Sequence, residues 1–320
     1  MIPDSNPTSV EVTVEAAVPQ ADLFARRQPA ITEGPATSWQ LARTLIDFGS
    51  AVLVARSPLR AEHRIRDAVL IALLRRALVT VEGIINLLAR SLEEPAIALG
   101  RTLLDIELSM KLIHQDPTDE MAKRLAAFHY YTYQRHGQDM LSDPATRLGQ
   151  LASTQRIAET VQVAKSYSQL LESDVFDDVR DDVKGAAYWH GHPRPEDAFR
   201  AIGQTSDYFM TYDIGTWFVH AVNVDFDFAA SRADEQFQLK ALAQRDPKVV
   251  QLHLQQALFR LWAILRVYVD ERGLPTDQAF MVKARFQFPD GHTEELDPMS
   301  GIAALLLAEF PSADSQSSPK

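Results

Sequence analysis

From about Ser38 to Arg272, apolar residues recur every three or four positions, the spacing of amphipathic helices, and turn signals cut the stretch into antiparallel pieces. Thr37 or Ser38 can cap a first helix running to about Arg56. Ser57-Pro58 breaks it before a longer helix from Leu59 to about Ser91. Glu93-Glu94-Pro95 starts a third, and Asp116 to Glu120 forms a turn that opens a fourth, ended by Ser142-Asp143-Pro144. Further helices are expected from about Ala145 to Glu172, from Glu196 to about Val224, and from about Pro247 to Glu271, with the acidic stretch Asp174 to Asp182 as a surface loop. After Gly273 the period changes to two: Phe280, Val282, Ala284, Phe286 and Phe288 fall on one side, and Pro289-Asp290-Gly291 makes a turn. The expected fold is all-α, an antiparallel helical bundle over residues 37–272, with a small C-terminal β-hairpin plus helix over 273–310. Residues 1–36 read as a loosely packed or disordered extension, and the Ser- and Pro-rich 311–320 as a disordered tail.

Two helices break this pattern by placing polar groups where apolar ones are expected. Arg101 and Asp105 share a face about 100° wide with Ile97, Leu104, Leu108 and Leu112, so a charged pair is aimed at the core. Burying either charge is costly unless it is matched, by the other or by something that docks there. An arginine has five donors, more than one aspartate can take, so a ligand carboxylate or phosphate is a natural further acceptor; protein carbonyls are the alternative. On the later helix, Thr205, Tyr208, Phe209, Tyr212, Thr216, Val219, His220 and Asn223 fall along an arc about 120° wide, at once aromatic and hydrogen-bonding. His220 is the candidate acid or base there, with Tyr212 and Thr216 beside it; the alternative is a self-satisfied polar network inside the helices. If Arg101 and His220 share a pocket, these two anomalies are one site.

Composition narrows the chemistry. A net charge of −11 speaks against a broad phosphate-neutralising surface. The absence of cysteine removes disulfides, thiolate nucleophiles and cysteine-ligated metals, and a reducing cytoplasmic setting is expected. Met1 to Pro35 lacks a secretory pattern, and the longest aliphatic runs, Ala68 to Leu74 and Ile302 to Leu307, are far short of the roughly 20 residues a membrane span needs. Arg64, Arg66, Arg75 and Arg76 read as a solvated face. No histidine has a glutamate three residues before it, so a ferritin-type di-iron site is excluded, and His-Glu-x-x-His is absent. His190 and His192 flank a glycine beside a proline, which reads as a loop feature before a metal site; no metal and no cofactor is expected.

Arg101-Thr-Leu-Leu-Asp105, Trp189-His-Gly191 and Tyr212-x-x-x-Thr216-x-x-x-His220 resemble, in order and spacing, an uncharacterised all-helical bacterial domain family of unknown function with Arg-x-x-x-Glu, Trp-x-Gly and Tyr-x-x-x-Ser-x-x-x-His motifs. The resemblance spans about Leu70 to Asp227, with Asp105 in place of Glu and Thr216 in place of Ser. It implies a helical fold in which the separated motifs form one site, and supplies no activity. A weaker resemblance is to HEPN helical proteins, many of them dimeric ribonucleases with Arg-x4–6-His, a spacing met by Arg124 and His129. The leading expectation is recognition of a small anionic or nucleotide-like ligand, as a bacterial stress or defence sensor or effector, with Arg101, Asp105, Tyr208 and Trp189 binding and Tyr212, Thr216 and His220 completing the pocket. The alternatives are a metal-independent HEPN-like ribonuclease acting as a homodimer through Arg124 and His129, and a non-catalytic helical interaction module.

Overall fold

The computed structural model describes residues 36–54, 59–90, 92–142, 162–163, 165–166, 169, 171–213, 215–216, 228–231, 236–239, 247–273, 284–287 and 293–296. His220, residues 145–161 and the segments 1–35 and 297–320 lie outside them, as does the expected hairpin turn Pro289-Asp290-Gly291. The fold is all-α. Its main helices are α1 (Ala36–Val54), α2 (Arg64–Ala89), α3 (Glu93–Gln115) and α4 (Glu120–Ser142). Short α5 (Arg180–Val183), α6 (Pro195–Ala201) and α7 (Thr205–Asp207) follow, and α7 runs into a π-helical turn, Tyr208–Asp213, before the long α8 (Pro247–Arg272). Phe228–Ser231 pairs antiparallel with Gln236–Leu239, and Ala284–Gln287 with Thr293–Leu296. No helix among the described residues is long and apolar enough to cross a membrane.

The core follows from helical spacing. Leu70, Leu74, Ala77, Val81, Ile84 and Leu88 of α2 are buried against Leu254, Leu258, Leu261 and Leu265 of α8, with Leu45 and Val52 of α1 in the same cluster. Helix α3 is buried on two sides. Leu103, Ile106, Met110 and Ile113 enter this main core, whereas Leu104, Leu108 and Leu112 build a second cluster with Ala198 and Phe199, flanked by Trp189, Ile202, Tyr208 and Tyr212. The face that carries Arg101 and Asp105 is the one turned to that second cluster.

Charge anchors one end of the helices. Arg66, expected on a solvated face, is buried: its guanidinium donates to the carbonyls of Ile113, Asp116 and Thr118 and pairs with Glu271 at 2.9 Å. The carbonyls left unpaired at the end of α3 thus meet a cation, which suits both their hydrogen-bond need and the helix dipole. Asp67, fully buried, accepts from the Arg60 backbone N–H and guanidinium and is paired with Arg272.

The expected continuous helix from Glu196 to Val224 is not continuous. It stops at Ala201, and Gly203, at φ +74°, reverses the chain before α7. The π-helical turn then adds residues per turn relative to an α-helix. Angles counted at a uniform 100° step across this segment therefore do not describe it.

Candidate functional site

Between α2, α3, α4 and the loop before α6 lies a cavity of about 360 Å³. Asp105 and Ser109 of α3, Arg76 of α2, the consecutive Tyr188, Trp189 and His190, and Tyr212 from the π-helical turn line it, with Leu73, Leu108 and Leu125 as its apolar wall. Three of the residues singled out by their spacing, Asp105, Trp189 and Tyr212, thus meet in one space from segments far apart in sequence.

Arg101 approaches from the side. Its Nη2 donates to Tyr212 Oη at 3.1 Å and its guanidinium carbon lies 4.5 Å from the Tyr212 ring centroid. Its Nε is buried with no hydrogen-bond partner among the described residues. The expected Arg101–Asp105 ion pair is not made among the described contacts: Arg101 is turned to Tyr212, and its charge reaches Asp105 only through space. The Asp105 carboxyl accepts no hydrogen bond from a described residue. Burial pushes it up to about 6, against the opposing fields of Arg101 and Arg76.

Two glycines allow these approaches. A Cβ at Gly215 would sit 2.8 Å from Arg101 Cβ, so glycine lets the segment bearing Thr216 close onto α3. Gly191, at φ +76°, turns the loop so that a Cβ there would lie 2.9 Å from Arg124 Nη2. Arg124 is spent under this loop, donating through Nε to the Trp189 carbonyl at 3.4 Å and pairing with Asp182 at 2.8 Å. Gly191→Ala is expected to lose about 1–2 kcal/mol from the left-handed backbone alone. Urea unfolding measures that loss, and the Trp189 environment, read by fluorescence, should change with it.

His190 is the group whose importance the sequence hid. It is buried, stacks parallel to Tyr188 with centroids 5.4 Å apart, and meets Trp189 edge-on at 5.6 Å. Burial, with the nearby His192 and Arg124, lowers it to about 4. Its Nδ1 accepts from the His192 backbone N–H at 3.1 Å, and since a backbone amide can only donate, Nδ1 is unprotonated and Nε2 carries the hydrogen. The cavity is therefore lined by a neutral imidazole with one N–H donor.

Tyr208 stacks on Tyr212 (5.2 Å, 20°) and packs on Phe199. Thr216 Oγ1 donates back to the Tyr212 carbonyl at 2.7 Å, a local helix bond. Tyr212 is itself raised above the usual tyrosine range by burial, partly offset by the Arg101 hydrogen bond. His129 is exposed on α4, while Arg124 is held by the loop and Asp182. His220, expected to share a pocket with Arg101, lies outside the described residues. No group of three metal-ligating side chains occurs among the described residues.

A buried network that the sequence reading missed sets the position of the tyrosines. Glu107 of α3 accepts from Arg260 Nη1 (2.9 Å), Gln204 (2.9 Å) and Lys111 (2.6 Å), and Arg260 Nη2 reaches Asp207 and Thr211, each at 3.0 Å. Asp207 and Thr211 immediately precede Tyr208 and Tyr212, so α8 and α3 together hold the π-helical turn. A wider groove of about 960 Å³ between α4 and residues 171–187 contains Tyr131, Arg135 and Lys184. Its Arg180 is already occupied by the carbonyls of Leu171 and Ser173 and by Asp177.

Asp105 and His190 act oppositely on stability. Between pH 3.8 and about 6 the folded Asp105 binds more protons than the unfolded one, so its contribution falls as pH rises through that window. For His190, between about 4 and 6.5, the unfolded state binds more, so stability rises with pH. Asp105→Asn removes the first effect: the unliganded variant should be more stable than wild type by about 3 kcal/mol at pH 8 and by little below pH 4. Chemical denaturation across pH measures this, with the His190 rise uncovered in the variant.

The fold and cavity define a helical protein with an aromatic pocket built around one buried carboxyl. Residues 67–237, just over half of the chain, match the family described as "Family of unknown function (DUF5677)", and the protein belongs to that family. No curated protein and no solved structure matches it.

Proposed function

We propose that the protein recognises a small anionic or nucleotide-like ligand in the cavity between α2, α3 and the Tyr188–His190 loop, seated within an antiparallel helical bundle. The observation that carries this reading is the convergence of Asp105, Trp189, His190 and Tyr212 on one cavity in which the Asp105 carboxyl has no partner among the described residues. A buried ionisable group kept at an unfavourable charge state, in a cleft with aromatic walls, is what a binding site looks like before its ligand arrives. Arg76 supplies the cation for an anionic ligand, and Arg101 acts through Tyr212, which it holds. Trp189 is part of the aromatic wall, and Tyr208 backs Tyr212 by stacking on it.

A thermal-shift screen of nucleotides and small metabolite anions tests this. At a ligand concentration near 100 times Kd, stabilisation of about 2.7 kcal/mol is expected, and Arg101→Ala should abolish most of it. Stabilisation that Arg101→Ala and Asp105→Asn leave unchanged would place the ligand elsewhere.

A further inference from the structure

Resting on the pocket reading above, the geometry points to a purine nucleoside monophosphate with a guanine-type edge as the class of ligand. Besides the hydroxyl-bearing Thr102, Ser109, Tyr188 and Tyr212, which can each donate or accept, the cavity is lined by three polar groups of fixed character. Asp105 presents a carboxylate, which can only accept hydrogen bonds when ionised, and at neutral pH it is largely ionised. His190, which lines the same cavity, has one N–H donor left, because its other nitrogen is committed to the His192 amide. Arg76, exposed at the surface yet lining the same cavity, presents a cation at its edge.

A ligand that satisfies all three needs two donors for the carboxylate, an acceptor for the imidazole and an anionic group for the guanidinium. The Watson–Crick edge of guanine carries adjacent N1–H and N2–H donors with the O6 acceptor beside them, and a 5′-phosphate supplies the anion. Adenine fails at the first requirement, because its N1 is an acceptor and would face the carboxylate. A polyamine fails at the third, since Arg76 and Arg101 both repel it. The rings of Tyr188, Trp189, His190 and Tyr212 suit a planar unsaturated ligand better than a flexible aliphatic one. At about 360 Å³ the space is near the small end of ligand pockets, fit for a single nucleotide and too small for a dinucleotide coenzyme.

Isothermal titration of the full chain with GMP, IMP, AMP, guanosine and free tyrosine, on wild type, Asp105→Asn and Arg76→Ala, tests this. GMP should bind best. IMP, which lacks N2–H, should bind about tenfold more weakly, and AMP weaker still. Guanosine should lose the Arg76 contribution, so that Arg76→Ala weakens GMP and leaves guanosine unchanged. Asp105→Asn should erase the preference for GMP over AMP, with the variant's fold checked by its circular dichroism and unfolding midpoint. AMP binding as tightly as GMP, or GMP binding untouched in Asp105→Asn, overturns the guanine edge. Tyrosine binding in an Asp105-dependent way with no nucleotide bound overturns the nucleotide class and leaves the pocket reading standing. Failure of every probe, together with no Asp105-dependent hit in the wider metabolite screen, overturns both.

Discussion

Arg260→Ala is expected to destabilise the protein by about 3 kcal/mol or more, because it strands a carboxylate in the interior. The Glu107 side chain is only 3% exposed and that of Arg260 9%, so the pair is shielded from water. Lys111 and Gln204 continue to bond Glu107 in the variant, which keeps the loss near the lower end of the range for a broken buried pair. The effect reaches the site as well. Asp207 and Thr211 lose the guanidinium that ties them to α8, and the adjoining Tyr208 and Tyr212 lose their register against Arg101. Urea denaturation followed by circular dichroism gives the stability, and Tyr212 titration gives the local effect. The double variant Arg260→Met, Glu107→Met should recover much of the stability, since apolar replacement of a buried pair is often close to neutral, without restoring the tyrosines. A single-variant loss below about 1 kcal/mol would mean that the network is not a buried ion pair in solution.

Asp67→Ala should cost about 3–5 kcal/mol. Asp67 is 0% exposed and Arg272 1%, so removing the carboxylate leaves a guanidinium at the end of α8 with its main counter-charge gone. The backbone N–H of Arg60 also loses its acceptor, which releases the segment leading into α2. Burial alone would raise this carboxyl, but the hydrogen bonds from Arg60 and Arg272 outweigh it and hold it at about 2. A folded value below the unfolded 3.8 means that its stabilisation is complete above about pH 4 and disappears as pH falls through 2. Wild type should therefore lose stability over that acid window and the alanine variant should lose correspondingly less, as measured by unfolding at a series of pH values.

Much of this architecture was legible because helical burial is periodic. Leucines and valines at three- and four-residue steps located α2, α3 and α8, and the Asp116 to Glu120 turn located the start of α4. The charged face of α3 was legible for the same reason: Arg101 and Asp105 stand out against Leu104, Leu108 and Leu112, which do turn to the aromatic cluster. What the pattern could not give was partnership. Four residues on a helix suggested that Arg101 and Asp105 pair, but Arg101 finds Tyr212 instead, a contact 111 residues away in sequence. Arg66 and Arg76 look alike in a run of arginines. One is buried under the end of α3 and the other lines the cavity, a distinction made only by neighbouring helices. The helix around Tyr208 starts later than the spacing predicts because Gly203 reverses the chain, and the π-helical turn changes its angular step. His190 lay inside a recognised motif at its unspecified position. Its role comes from burial and from the His192 amide, neither of which has a local signal.

Asp105, the Tyr188–His190 loop and Tyr212 are proposed to form one ligand site. Amide chemical-shift mapping on assigned, isotopically labelled protein, titrated with the strongest stabiliser from the thermal-shift screen, tests it most directly. The largest saturable shifts should fall on the amides of Asp105, Tyr188, Trp189, His190 and Tyr212. Shifts confined to the groove between α4 and residues 171–187, with the amides around Asp105 and Tyr212 unmoved, would contradict it.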